Sequence, residues 1–201
     1  MHIAIAGNIG SGKTTLTNKL AKHYNWTPNY EDAEQNPYLN DFYNDMPRWA
    51  FNLQVYFLHS RLKKILECKN SGQHVIQDRT IYEDAYIFAA NLYDMNLMSE
   101  RDYRNYLDIF EFTTSLLQAP DLLIYLRANV PTLIKQIKKR GRQYEQSISP
   151  DYLTKLNQKY DLWSQSYNNG KILTIDVENL DFANSDKDFI SVTKLIDEKL
   201  K

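Results

Sequence analysis

Residues Gly7-Asn8-Ile9-Gly10-Ser11-Gly12-Lys13-Thr14 fill the pattern G-x-x-x-x-G-K-[ST] at every fixed position. Glycines free the backbone to approach a polyphosphate with successive N–H groups aimed at its oxygens. A helix beginning just after them would point its positive N-terminal end at the same anion. Lys13 supplies a mobile charge for the β and γ phosphates, and the Thr14 hydroxyl can ligate Mg²⁺, so the motif points to nucleotide phosphates and leaves the reaction open. Three further clusters add chemistry. Glu31-Asp32-Ala33-Glu34 offers a carboxylate for proton abstraction, Glu31 foremost because it ends a short extended segment, with Asp32 and Glu34 as competitors. Asp78-Arg79-Thr80 supplies a second carboxylate, which joins Thr14 around the metal directly or through water. Lys138-Lys139-Arg140-Gly141-Arg142 could bring Arg140 and Arg142 onto the phosphates as a lid.

Each cluster has a plain alternative: a solvated acidic loop, a helix N-cap at Asp78, a basic helix end. Two helical pairs suggest a grip on a planar ring. Gln54 and Arg61 lie seven apart, and Asp84 and Phe88 four apart, so each pair shares a helix face. Such spacing by itself also fits a core position for Phe88.

The elements that must carry these residues follow from periodicity. Ile3 and Ile5 sit in a short apolar run ahead of the glycines, and Leu16, Leu20 and Tyr24 recur at helical spacing behind them. Trp26 to Glu31 reads as extended, interrupted by Pro28. Trp49, Leu53, Phe57, Leu58, Leu62, Ile65 and Leu66 mark a long helix that Gly72 ends. Residues 74–78, 121–127 and 171–177 read as further strands; the second is almost continuously apolar, as a strand covered on both faces should be. Helices are expected from about 81 to 93, after a capping box at Ser99 to Asp102, from Pro131, and from Ser149-Pro150. A last amphipathic helix carries Val192, Leu195, Ile196 and Leu200. Strands alternating with helices predict a three-layer α/β domain with a parallel sheet of about five strands. Ligands in such folds bind beyond the carboxyl ends of the strands, where the glycine loop, Glu31, Asp78-Arg79 and Arg127 should collect.

Composition narrows the class. At 201 residues the chain suits one domain with a sizeable core, and a net charge of −1 argues against a nucleic-acid surface. The single cysteine, Cys68, builds neither disulfide framework nor thiolate zinc site, which suits a cytoplasmic setting. No apolar run reaches transmembrane length, and no signal or transit peptide precedes the first strand. An Asn-Lys-x-Asp guanine reader is missing, which disfavours a GTPase.

The order and spacing of Gly7 to Thr15, Tyr30-Glu31, Tyr43, Trp49 with Gln54, Ser60-Arg61, Asp78-Arg79-Thr80 with Tyr82 and Asp84, and Arg140-Gly141-Arg142 with Glu145 resemble the deoxynucleoside kinase family. The likeness runs almost throughout the chain. It is closest to the branch of deoxycytidine, deoxyguanosine and bacterial deoxyadenosine kinases. It implies a P-loop kinase fold, with a lid around residues 138–148, that transfers the ATP γ-phosphate to the 5′-hydroxyl of a deoxynucleoside, deoxyadenosine first, in purine salvage. By the resemblance Glu31 is the base, with Lys13 and Arg79 beside it in catalysis. Gln54 reads the base edge, Phe88 stacks on the base, and Tyr43 with Glu145 holds the 3′-hydroxyl; Leu39, Arg61 and Asp84 complete the acceptor pocket. Gly7, Asn8, Ile9, Gly10, Ser11, Gly12, Lys13, Thr14, Thr15, Arg140 and Arg142 hold the donor, whose adenine falls near Asp181-Phe182, mostly on main chain. Thr14 and Asp78 hold Mg²⁺. A homodimer packed through long helices is implied as well.

Two departures from the family pattern stand out: Asp32 where a proline commonly follows the glutamate, and Asn36 near where animal members place a tryptophan. The rival readings are a nucleoside monophosphate kinase and a non-catalytic ATP-binding regulator. A monophosphate acceptor would want arginines where Tyr30-Glu31-Asp32 stands, because carboxylates there would repel it.

Overall fold

The computed structural model describes residues 1–30, 35–142, 145 and 148–201. Among these, five strands form one parallel sheet in the order β2-β3-β1-β4-β5: β1 (His2–Gly7), β2 (Thr27–Asn29), β3 (Val75–Asp78), β4 (Leu122–Arg127) and β5 (Lys171–Asp176). The central strand β1 is the most enclosed, with Ile3 through Ala6 fully buried. Successive side chains of a strand face opposite ways. Ala4 and Ala6, with Leu123 and Tyr125, therefore join one core, and Ile3 and Ile5, with Leu122, Ile124 and Leu126, join the other.

The first core is roofed by α3 (Met46–Ser71), a helical run after β3, α6 (Glu100–Ser115) and α8 (Pro150–Ser166). The second is covered by α1 (Lys13–Tyr24), α7 (Val130–Arg140) and α9 (Asp186–Leu200). A short α2 (Leu39–Asn44) precedes α3. This is the expected α/β architecture of a parallel sheet between helical layers.

Local chemistry sets the boundaries. Pro28 is accommodated because β2 is the edge strand, where a missing N–H is tolerated. Asp45 caps α3 by accepting from the Arg48 N–H at 3.2 Å, and Gly72 ends it at φ 65°, so the long helix read from Trp49 onward is one helix of 26 residues that starts at Met46. Asn129, Ser149 and Ser185 cap α7, α8 and α9 in the same way.

Three details differ from the sequence expectation. The helix after β3 is not uniform: α4 (Ile81–Glu83) opens into a π-helical stretch, Asp84–Ala89, before α5 (Ala90–Asp94). Ser99 caps α6 alone, through the Asp102 N–H, without the reciprocal side-chain bond of a capping box. Leu195 faces solvent, while Val192 and Ile196 carry the packing of α9.

Candidate active site

The donor loop is shaped by backbone that other residues could not adopt. Gly10 has φ +87°, and a Cβ there would meet the Leu133 carbonyl at 2.8 Å; at Gly7 a Cβ would meet the Leu126 carbonyl at the same distance. Gly12 opens α1 in a left-handed conformation, aiming the first free amides of the helix into the loop. Lys13 is buried and donates to the carbonyls of Gly7 (2.8 Å) and Asn8 (3.1 Å), so the cation is stored inside the loop it serves. Asn8 ties the loop sideways, its amide donating to the Leu153 carbonyl and to Asn157 Oδ1 on α8.

The metal expectation is supported by the chemistry of two side chains. Thr14 donates to Asp78 Oδ2 at 2.5 Å, and the other carboxylate oxygen of Asp78 is buried with no hydrogen-bond partner. An orphaned anionic oxygen beside a hydroxyl at a strand end suits a hard cation. Among the described residues no cluster of three or more metal-ligating side chains exists, so most ligands of such an ion would come from the nucleotide and water.

Beyond the loop lies a cleft of about 900 Å³ that reaches from Lys13 and Thr14 to Phe88. Leu39, Tyr43, Gln54, Asp78, Arg79, Asp84, Arg140, Arg142 and Glu145 all line it. Of the helical pairs read from spacing, Gln54, Asp84 and Phe88 line it, whereas Arg61 does not and reaches it only through Asp84. Arg61 grips Asp84 with two bonds, Nε to Oδ2 at 2.5 Å and Nη2 to Oδ1 at 3.0 Å, both side chains being almost wholly buried. The π-helical stretch is what carries Asp84 and Phe88 to this wall, in keeping with the frequent placement of π turns at functional sites. Gln54 is buried with its Oε1 unpartnered, an acceptor waiting for a donor.

Arg79 is fixed from every side. Its backbone is left-handed at φ 68°, a costly state for a branched-free but bulky residue, and its N–H donates to the Ile5 carbonyl. Its carbonyl accepts from Arg61 and Gln77, and its guanidinium lies 4.5 Å from the Phe88 ring centroid.

Other expectations need correction or fall elsewhere. Glu31, Asp32 and Glu34 lie outside the described residues, as do four positions of the lid, 143, 144, 146 and 147. Tyr30, just before Glu31, is held by its hydroxyl on Asn18 and by Lys64 on its carbonyl at 2.5 Å. Arg127 does not enter the cleft: it is exposed and pairs with Asp176 at the end of β5. Arg140 and Arg142 do not stand free for phosphates, since Glu145 receives two bonds from Arg140 (3.0 and 2.5 Å) and lies 3.7 Å from Arg142. Phe182 is a core residue whose ring edge abuts Gly12, and Asp181 spends its carboxylate on Asn184, which leaves main chain as the means of contact with a donor base there.

Four residues escaped the sequence reading of the site. Tyr152 lines the cleft, and burial drives its phenol pKa well upward in spite of the nearby Arg79, so it is a neutral hydroxyl. Asn157 anchors the donor loop. Glu83 and Tyr160 hold Arg79. A signal existed for Glu83: Thr80-x-x-Glu83 is a capping-box pattern, and both reciprocal bonds are present.

The sequence profile described as "Deoxynucleoside kinase" matches residues 3–201. A deoxyadenosine/deoxycytidine kinase of Bacillus subtilis is 36% identical over 98% of this chain and 90% of its own length. A deoxyguanosine kinase of Lactobacillus johnsonii is 37% identical over 99% and 92%. A solved structure of deoxyadenosine kinase from M. mycoides, with the products dCMP and a flexible dCDP bound, superposes with a TM-score of 0.86 at 34% identity, covering 98% of this chain and all of the other.

Proposed function

The chain belongs to the deoxynucleoside kinase family, ATP-dependent phosphotransferases, and from that premise we propose that deoxyadenosine is its best acceptor, with deoxyguanosine or deoxycytidine next and thymidine last. The observation that carries this order is the buried Arg61–Asp84 pair beside the open acceptor oxygen of Gln54. Arg61 keeps the Asp84 carboxylate ionised and therefore acceptor-only. Adenine and cytosine bring an exocyclic amine to such acceptors. Thymine brings a carbonyl and a methyl group, leaving polar groups unpaired at about 1–3 kcal/mol. The relatives leave the choice between purines open, one phosphorylating deoxyadenosine and deoxycytidine by name and another deoxyguanosine. Comparing kcat/KM for the four deoxynucleosides tests the order, and a wild-type preference for thymidine overturns it.

In the reaction we assign, the nucleoside lies along the cleft with its base against Phe88, whose ring also carries the Arg79 guanidinium 4.5 Å from its centroid. Tyr43 and Glu145 meet the 3′-hydroxyl. Glu31 takes the proton of the 5′-hydroxyl, and Lys13 and Arg79 offset charge on the transferred phosphoryl group. Mg²⁺ held near Thr14 and Asp78 would neutralise the β and γ oxygens. For Arg140 and Arg142 to reach those oxygens, Glu145 must release them, and a sugar hydroxyl on Glu145 supplies the competing partner.

We also place the chain in a homodimer. Ile109 and Phe112 on α6, with Leu116 just after its end, are exposed apolar residues at helical spacing, and α3, which packs against α6, exposes Leu66. Sedimentation should give twice the chain mass for the wild type and a single chain mass for Phe112→Glu. No helix among the described residues is long and apolar enough to cross a membrane. The cytoplasmic assignment rests on the lone thiol of Cys68.

A further inference from the structure

Glu83 is completely buried and sits between the two halves of the site. Its Oε1 accepts from the Gly7 N–H at 3.2 Å and from the Tyr160 hydroxyl at 2.7 Å, and lies 3.5 Å from Arg79 Nη1. Its Oε2 accepts from the Thr80 N–H at 2.7 Å. Arg79 can only donate, so its 2.8 Å bond to Tyr160 fixes the direction of the chain: guanidinium to hydroxyl to carboxylate. A cap explains Oε2. It does not explain Oε1, which joins the first amide of the donor loop to the arginine over the acceptor pocket.

A buried carboxylate is costly unless it is paired and hydrogen-bonded, and here every bond to Oε1 comes from the loop, from Arg79 or from the residue that holds Arg79. Arg79 needs such restraint because its left-handed backbone is strained and its side chain has a planar fork to orient.

We propose that Glu83 is a positioning residue, which with Tyr160 locks the Arg79 guanidinium to the Gly7 end of the donor loop so that donor and acceptor are presented in one geometry. The proposal rests on the kinase reading above but not on the choice of base. Each measurement therefore uses whichever deoxynucleoside the wild type phosphorylates best, and a wrong substrate order leaves the test intact.

The test compares Glu83→Gln, Tyr160→Phe and the double variant with the wild type, at a temperature where thermal melts show each fully folded. Glutamine keeps the shape but has one acceptor and one donor end, so either Gly7 or Thr80 must face an N–H. With misplacement as the cause, kcat should fall about tenfold to a hundredfold in Glu83→Gln. The KM values for ATP and nucleoside should stay within about threefold, because binding contacts are untouched. Tyr160→Phe should lose kcat by about threefold to tenfold, and the double variant should be no worse than Glu83→Gln, because both act through one chain. A wild-type kcat in either folded variant overturns the proposal, as does a loss confined to KM or losses that simply multiply. If Glu83→Gln does not fold, Tyr160→Phe decides the question by the same kcat criterion.

Discussion

The donor end and the base end of the cleft are built by opposite means. The donor end is a contiguous stretch whose backbone does the binding, with glycines where a Cβ would strike the Leu133 and Leu126 carbonyls and with Lys13 stored on the loop's own carbonyls. The base end is a wall of side chains from separate helices: Gln54 from α3, and Asp84 and Phe88 from the π-helical stretch, with Arg61 of α3 holding Asp84. On the proposed reading, backbone amides at the first end accept any polyphosphate, and directed side chains at the second discriminate between bases.

The largest effect should come from breaking the donor end. Lys13→Ala should lower kcat by about 10²–10³-fold for every acceptor alike, the usual cost of removing one preorganised charge contact. Asp78→Asn should also lose activity, but raised Mg²⁺ should restore part of it, whereas Lys13→Ala should not respond. Equal responses in a metal titration would remove Asp78 from the metal's neighbourhood. A loss in Lys13→Ala that depends on the base would erase the division between the two ends.

Glu31→Gln addresses the proposed proton abstraction from the 5′-hydroxyl. Loss of a general base should reduce kcat by about 10²-fold or more while nucleoside binding is kept. Near wild-type turnover, together with an inactive Glu34→Gln, would reassign the base.

The base end is sharpened by replacing both members of its buried pair. Asp84→Ala alone would strand Arg61 without its partner, at about 3–5 kcal/mol, whereas a paired apolar replacement is often nearly neutral for stability. Arg61→Met with Asp84→Ala should shift the thymidine-to-deoxyadenosine ratio of kcat/KM about ten- to hundredfold towards thymidine. An unchanged ratio would reduce the pair to scaffolding.

The smallest effect lies behind both ends, at His2, which bonds Gln77 at 2.7 Å and whose pKa burial pushes below its ordinary value. The unfolded chain therefore binds a proton there more readily than the folded one, so stability falls as pH drops through the ordinary histidine range and below. Chemical denaturation from pH 7 to pH 5 should show a smaller loss for His2→Gln than for the wild type, with substrate preference unaltered. A steeper loss in His2→Gln would contradict that sign.

Much of the fold was legible because its signals are local. The apolar runs of β1, β3 and β4, the helix starts at Pro131 and at Ser149-Pro150, and the stop at Gly72 are read from neighbouring residues and recur in the structure. The π-helical stretch was not legible, because Asp84 to Ala89 carries the same apolar spacing as an α-helix and only its packing against α3, α6 and α8 selects the wider turn. Leu195 shows the converse: its type fits the buried face of α9, but no neighbour covers it.

By itself the sequence determined the glycine loop, since its glycines, Lys13 and Thr14 lie within eight consecutive residues. It also determined which helix faces bring Gln54 near Arg61 and Asp84 near Phe88, because helical spacing is fixed by geometry. Only the tertiary structure decided that Arg61 closes on Asp84, that Glu145 holds Arg140, that Arg127 turns away to Asp176, and that Glu83 joins Gly7 to Arg79 through Tyr160. Those pairings span up to 81 positions along the chain, and a hydrogen bond forms by distance and direction in space, which the order of residues does not contain.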